Sequence, residues 1–116
     1  MPVETLKSTA VTIANGASLS GALEMTNGNY MCGIIMPAAW TAADLTFEAS
    51  HDDITYNDLY DQDGVEVSAS ADVDRYIILN PNKFWGIKYI KVRSGTSASA
   101  VNQAAERSII LLFREL

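Results

Sequence analysis

The chain has 116 residues, which is the length of one domain and enough to bury a core without disulfides or bound metal. Hydrophobic residues make up 48% of it and charged residues 19%, a composition that excludes a disordered polypeptide. Its 14 Asp and Glu against 8 Lys and Arg give a net charge of −6, which argues against nucleic acid or an anionic membrane as a partner. We expect a single domain over residues 1–116.

Neither disulfides nor membrane-spanning segments are predicted. Cys32 is the only cysteine, which excludes an intramolecular disulfide and a cysteine-based zinc site. No apolar run approaches the roughly 18 residues of a membrane-spanning helix. Residues 1–5 lack the basic and apolar regions that are typical of a secretory signal. We therefore expect an acidic domain that is made in a reducing compartment.

Alternation of apolar and polar residues with a period of two predicts β-strands along the chain, and no sustained helical period is present. The predicted strands cover residues 11–13, 30–36, 45–50, 65–70, 75–79, 87–93 and 108–113. Turns are predicted at the pairs Asn15-Gly16, Asn27-Gly28, Asp63-Gly64 and Ser94-Gly95. About eight short strands with such frequent turns predict an all-β fold, an antiparallel sandwich or barrel.

No catalytic, cofactor-binding or metal-binding residues are predicted. The only histidine, His51, lies between two predicted strands and is interpreted as an exposed turn residue. Cys32 lies within an apolar strand and is interpreted as a small buried hydrophobic residue. No other pattern of nucleophile, base and orienting group is present. We therefore expect no enzymatic activity.

Four acidic residues lie close together in the sequence, and they allow two interpretations. They are Asp58, Asp61, Asp63 and Glu66. Closely spaced carboxylates are able to surround calcium, although the spacing of an EF-hand loop is absent. The favoured interpretation is a β-hairpin with Asp63-Gly64 as its turn.

Two tryptophans remain as candidate surface or core residues. Trp40 directly follows an apolar strand, and we expect it to close the end of the core. Trp85 is assigned to neither role, because an aromatic side chain in a loop also stacks on sugar rings or anchors a protein interface. Phe84 is adjacent to Trp85, so within a strand only one of the two would point inward.

Several segments together resemble small virion proteins of tailed bacteriophages, namely residues 36–50, 56–60, 63–64, 75–79, 90–96 and 101–105. The resemblance implies a jelly-roll β-sandwich of about eight strands and a non-enzymatic capsid decoration, or cement, protein. It further implies a homotrimer, or else a dimer, that is made in the host bacterial cytoplasm. Such a protein binds the major capsid protein on the capsid surface of the virion.

A looser resemblance connects residues 47–56 and 89–92 with galactose-binding-like jelly rolls. It implies an alternative function as a carbohydrate-binding or receptor-binding module of a phage tail or fibre. Trp40 or Trp85 would then contact the sugar.

The last predicted strand, residues 108–113, is apolar on both faces. One face carries Ile109, Leu111 and Phe113, and the other carries Ile110 and Leu112. A sandwich buries only one face of a sheet, so the second face requires a partner or a covering loop. We therefore predict self-association through this strand. The candidate interface residues are Phe84, Trp85, Ile110 and Leu112.

Overall fold

The structure, a computed structural model, describes residues 6–25 and 29–115. Within these ranges the chain has nine β-strands, one 3₁₀ turn at Pro81–Phe84 and no α-helix. The strands are β1 (Leu6–Ile13), β2 (Leu23–Glu24), β3 (Asn29–Ile35), β4 (Leu45–Ser50), β5 (Asn57–Asp58), β6 (Ser68–Ala69), β7 (Tyr76–Ile78), β8 (Tyr89–Ser94) and β9 (Arg107–Glu115). The predicted all-β class is therefore confirmed. In the same ranges there is no helix that is long and apolar enough to cross a membrane.

Two antiparallel sheets pack against each other as a β-sandwich. Sheet A has the strand order β1-β9-β3-β7, and sheet B has the order β2-β8-β4-β5, with β6 also pairing with β4. Alternate residues of each strand point into the space between the sheets, because side chains in a strand alternate between its two faces. The predicted antiparallel sandwich is the observed architecture.

The C-terminal strand β9 lies in the middle of sheet A, between β1 and β3. Its residues Ile109, Leu111 and Phe113 are buried in the core between the two sheets. The alternation of the strand therefore places Ile110 and Leu112 on the outer face of sheet A. The two-sided apolar pattern of this strand thus divides between the core and an outer surface.

Trp40 closes the core as predicted. Its side chain packs against the core residues, and its indole Nε1 donates a hydrogen bond to the carbonyl oxygen of Ala43 at 3.0 Å. The single polar group of the ring is thereby satisfied while the apolar body is covered.

The strand predicted over residues 65–70 is shorter than expected, because its first half belongs to a hairpin loop. A bridge between Tyr60 and Glu66 closes this loop, and Gly64 adopts a positive φ of 78°. The Asp61 Oδ1 atom accepts hydrogen bonds from the backbone N–H groups of Asp63 and Val65. The favoured hairpin interpretation therefore holds, with a longer loop than a two-residue turn. The predicted turn at Asn27-Gly28 lies outside the described residues.

The turn after β8 depends on Gly95, which has a positive φ of 93°. A Cβ atom at this position would lie 2.5 Å from the carbonyl oxygen of Ser99 and 2.7 Å from the backbone nitrogen of Val101. We expect Gly95→Ala to lower the free energy of unfolding by about 2 kcal/mol, because backbone strain and a backbone clash combine. Urea denaturation measures this effect.

The matched control is Gly64→Ala. Gly64 also has a positive φ, but an added Cβ would meet no atom within 4 Å. This substitution is expected to cost only about 1 kcal/mol, the strain of the left-handed conformation. Equal losses in the two variants would contradict the assigned clash at Gly95.

Candidate interaction surface

A row of apolar side chains crosses the outer face of sheet A. The strand register places Tyr76, Ile35, Ile110 and Ala10 directly beside one another, from β7 at one edge to β1 at the other. Tyr76 is 54% exposed, whereas Ile35 and Ile110 are half-buried. Ile110, predicted as an interface residue, therefore lies at the centre of an apolar surface.

The adjacent row reads Ile78, Gly33, Leu112 and Ser8 in the same direction. Ile78 is 78% exposed, but Leu112 is only 4% exposed. Leu112 lies over Gly33, since a Cβ atom on Gly33 would stand 3.1 Å from the Leu112 Cδ1 atom. Leu112 thus lies on the outer face of sheet A but offers almost no surface to a partner, so its prediction as an interface residue is corrected.

A β-bulge explains how strand β3 supplies both the core and this surface. The register against β9 shifts between Met31 and Gly33, which leaves Cys32 as the extra residue. Met31 and Ile34 are buried in the core, and Ile35 points to the outer face. Cys32 itself is half-buried and forms no disulfide.

We call Ala10, Ile35, Tyr76, Ile78 and Ile110 the outer patch. None of these residues is charged, and they are contiguous across the sheet. Contiguous apolar residues on an exposed sheet face mark sites of interaction, so the outer patch is the candidate interaction surface.

The outer face of sheet B has the opposite character, because it contains a buried ion cluster around Arg93. The Arg93 side chain donates from Nη1 to Asp58 Oδ1 at 2.8 Å and from Nη2 to Glu66 Oε2 at 3.1 Å. Its Nη1 also lies 3.3 Å from Glu48 Oε2, and its Nε donates to Thr46 Oγ1 at 3.0 Å. Arg93 is 6% exposed. We call these five residues the Arg93 cluster.

Three of the four acidic residues considered for calcium have cationic partners within the protein. Asp58 and Glu66 bind Arg93, and the carboxylate of Asp61 lies 3.1 Å from the Lys83 ammonium. Hydrogen bonding from the Val65 N–H, together with Lys83, lowers the pKa of Asp61. In the part of the chain that the structure describes, no group of three or more His, Cys, Asp or Glu residues is arranged to hold a metal ion.

His51 is exposed, as predicted, in a loop that polar side chains hold in place. Ser50 Oγ accepts hydrogen bonds from the N–H groups of Asp52 and Asp53. Asp52 Oδ1 accepts hydrogen bonds from the N–H groups of Ile54 and Thr55. The bond from Thr55, followed by that from Ile54, lowers the pKa of Asp52 to about 2. The loop therefore depends on an ionised carboxylate.

This dependence predicts an acid-sensitive loop. A carboxyl group whose pKa is lower in the folded chain stabilises the fold above its unfolded pKa, and that contribution is lost as the pH falls through the folded pKa. For Asp52 the loss extends from about pH 4 to about pH 2. We expect the melting temperature of the unmodified chain to fall more steeply over this range than that of Asp52→Asn. Parallel curves would contradict the assignment.

Phe84 and Trp85, the other two predicted interface residues, differ in exposure: Phe84 is buried in the core and Trp85 lies on the surface. Asn80 caps the 3₁₀ turn, with Pro81 at its start, and the turn directs Phe84 into the core. The Phe84 ring meets the Phe47 ring edge-on at 5.3 Å, and Phe84 is 1% exposed. The prediction of Phe84 as an interface residue is therefore corrected, because a buried ring offers no surface to a partner.

Trp85 is 56% exposed. Its ring centroid is 5.6 Å from that of Tyr30, with a tilt of 52°. Beside it is a largely polar concavity of about 710 Å³, which Glu24, His51 and Lys88 help to line. Trp85 is thus a separate candidate contact residue.

A groove of about 610 Å³ opens between β6 and β7, at the flank of the sandwich. Its floor contains the buried residues Ala69, Leu79 and Phe84, and Tyr76 and Ile78 of the outer patch form part of its rim. The outer patch is therefore continuous with this groove at one edge of sheet A, and charged side chains also line the groove. Sequence reasoning did not identify Tyr76 and Ile78 as surface residues.

Comparisons of the chain with models of protein families, with curated proteins and with solved structures find no match.

Proposed function

We propose that the chain is a non-enzymatic structural protein of a tailed-bacteriophage virion, and specifically a capsid decoration protein that acts as a homo-oligomer. The outer patch carries this proposal, because a protein that stabilises a shell needs an adhesive surface rather than a cleft. Its partners are other copies of the chain and the major capsid protein, and its location is the capsid surface. The resemblance of the sequence to small virion proteins supports the same assignment.

We further infer that the sandwich is a jelly roll. The pairing of the strands supports this inference, because it is nested: β4 pairs with β5 and β6, β3 with β7, β2 with β8, and β1 with β9. One long antiparallel hairpin, folded over onto itself, gives this arrangement. The jelly roll occurs in viral capsid proteins, and also in lectins, so the fold supports the proposed function without determining it.

Mass spectrometry of purified virions tests this function. The particles are prepared from the phage whose genome encodes the chain, and the copy number is measured relative to the major capsid protein. We expect hundreds of copies per particle, as a shell component requires. A few copies per particle would indicate a tail or fibre component instead. Absence from the particle would overturn the proposal of a virion protein.

A second candidate function is carbohydrate or receptor binding, which the exposed Trp85 beside a polar concavity favours. Aromatic rings stack on sugars, and polar side chains around them select the hydroxyl groups. Against this candidate, the Trp85 ring is tilted toward Tyr30 and does not form a flat platform with it. Tryptophan fluorescence during titration with galactose and with bacterial surface polysaccharide distinguishes the two. Saturable quenching that Trp85→Ala abolishes would favour the binding module.

A further inference from the structure

Strand β7 has one edge with no partner strand among the described residues. It pairs with β3 alone, through Tyr76, Ile77 and Ile78. The Arg75 carbonyl accepts from the Met36 N–H, and the Leu79 N–H donates to the Cys32 carbonyl. Backbone groups of successive residues in a strand alternate in direction. Those of Tyr76 and Ile78 therefore point away from β3.

These free backbone groups coincide with the most exposed part of the outer patch. Tyr76 and Ile78 also carry its two most exposed large side chains. Natural edge strands are protected by shortness, charges, proline or a covering segment, because an open edge recruits another strand. β7 is short, with three residues, and Arg75 directly precedes it. Within β7 itself there is no charged residue and no proline. The edge therefore fits a partner that is itself an extended strand with apolar side chains.

We propose that this partner is β7 of a second copy of the chain. The two copies are related by a two-fold axis that passes between their Ile77 residues. The proposal rests on the proposed function, and it places the contact between copies at β7 rather than at residues 108–113, which lie in the middle of sheet A. In this antiparallel arrangement Tyr76 lies opposite Ile78 of the second copy, and each pair exchanges two backbone hydrogen bonds. A two-fold contact requires such self-complementarity, and β7 provides it because Tyr76 and Ile78 are equidistant from Ile77.

The arrangement also uses the groove and the outer face. The strand pairing itself is short, about 10 Å over the three residues of β7, so the flank of the sandwich beside it has to enlarge the contact. A specific interface buries about 1,000 Å² or more in total, which the three residues of β7 do not reach by themselves. The groove between β6 and β7 is covered in the process. The two outer patches remain on the same side, as one continuous apolar surface for the shell.

The pair of variants Ile78→Pro and Ile78→Thr tests the proposal. Proline removes the N–H group that points away from β3, so it is compatible with an edge strand but blocks the addition of a further strand. Threonine keeps the N–H group and loses part of the apolar side chain. We expect Ile78→Pro to weaken dimerisation by about 30-fold or more, because two symmetric hydrogen bonds are lost. Ile78→Thr is expected to weaken it by only a few-fold.

Analytical ultracentrifugation measures the dimerisation, and circular dichroism establishes that each variant is folded. Equal weakening in the two variants, or a trimer in the unmodified chain, would overturn the β7 contact. Neither outcome affects the virion assignment, which the copy number tests independently. If Ile78→Pro does not fold, amide hydrogen exchange of the unmodified chain decides. Protection of the Tyr76 and Ile78 amides must rise with protein concentration, and constant protection would overturn the proposal.

Discussion

Replacement of Phe84 by Ala is expected to lower the free energy of unfolding by about 3–5 kcal/mol. Phe84 is almost completely buried, and its ring meets Phe47 edge-on between the two sheets. Truncation removes the ring from the core and leaves a cavity, and the 3₁₀ turn that carries it has a capped start that resists collapse into the space. Urea denaturation followed by circular dichroism measures the loss.

The neighbouring residue provides the control. Trp85 has a larger side chain, but more than half of it is exposed, and its ring contacts that of Tyr30. We expect Trp85→Ala to cost about 1 kcal/mol or less. A larger loss of stability at Trp85 than at Phe84 would contradict the assignment of Phe84 to the core and of Trp85 to the surface.

Replacement of Arg93 by Met is expected to lower the free energy of unfolding by about 3 kcal/mol. The three carboxylates that bind the guanidinium would stay close together without a counter-charge. Removing one partner from a buried ion pair typically costs 3–5 kcal/mol, and partial exposure of Asp58 places the expected value at the lower end. Methionine keeps most of the apolar volume of the side chain, so the loss reports mainly on the charge.

Lys88→Met is the matched control, because it removes one exposed positive charge from the same part of the chain. We expect a change within about 0.5 kcal/mol, as for most surface substitutions. If the two variants were equally stable, the Arg93 cluster would not be a stabilising element of sheet B.

The strands that the sequence predicts most reliably are those with a regular alternation or a long apolar run. Residues 45–50 alternate clearly, and they form β4 with the predicted limits. The first half of β1 escapes prediction, because residues 6–10 are exposed and lack alternation. They are extended because each of them pairs with a residue of β9, from Leu6 with Arg114 to Ala10 with Ile110. Long-range pairing, rather than local pattern, determines such a strand.

The candidate surface was predictable only in part for the same reason. The two-sided pattern of β9 correctly indicates an apolar surface at Ile110. The contribution of Ile35 depends on the bulge at Cys32, which reverses the alternation of β3. Gly33 beside it is a local sign of a bulge, but a glycine alone does not fix the register. Tyr76 and Ile78 have the spacing of one strand face, but the edge position of β7 follows from the topology.

The Arg93 cluster lies beyond local sequence reasoning as well. Its members come from β4, β5, β8 and the hairpin loop, separated by up to 47 positions. Its acidic residues suggest a cation site in the sequence, and the cation that they bind is the guanidinium group of Arg93. Only the pairing of β4 with β8 and β5 brings these groups together.

Sedimentation equilibrium of the unmodified chain, at concentrations up to about 100 µM, tests most directly the claim that this protein acts through association of its surfaces. The exposed apolar row, the open β7 edge and the adjoining groove predict an assembly that dissociates on dilution. We expect a mass of twice 12.6 kDa at the highest concentration and a shift toward the monomer below. A mass of 12.6 kDa at every concentration would contradict the account.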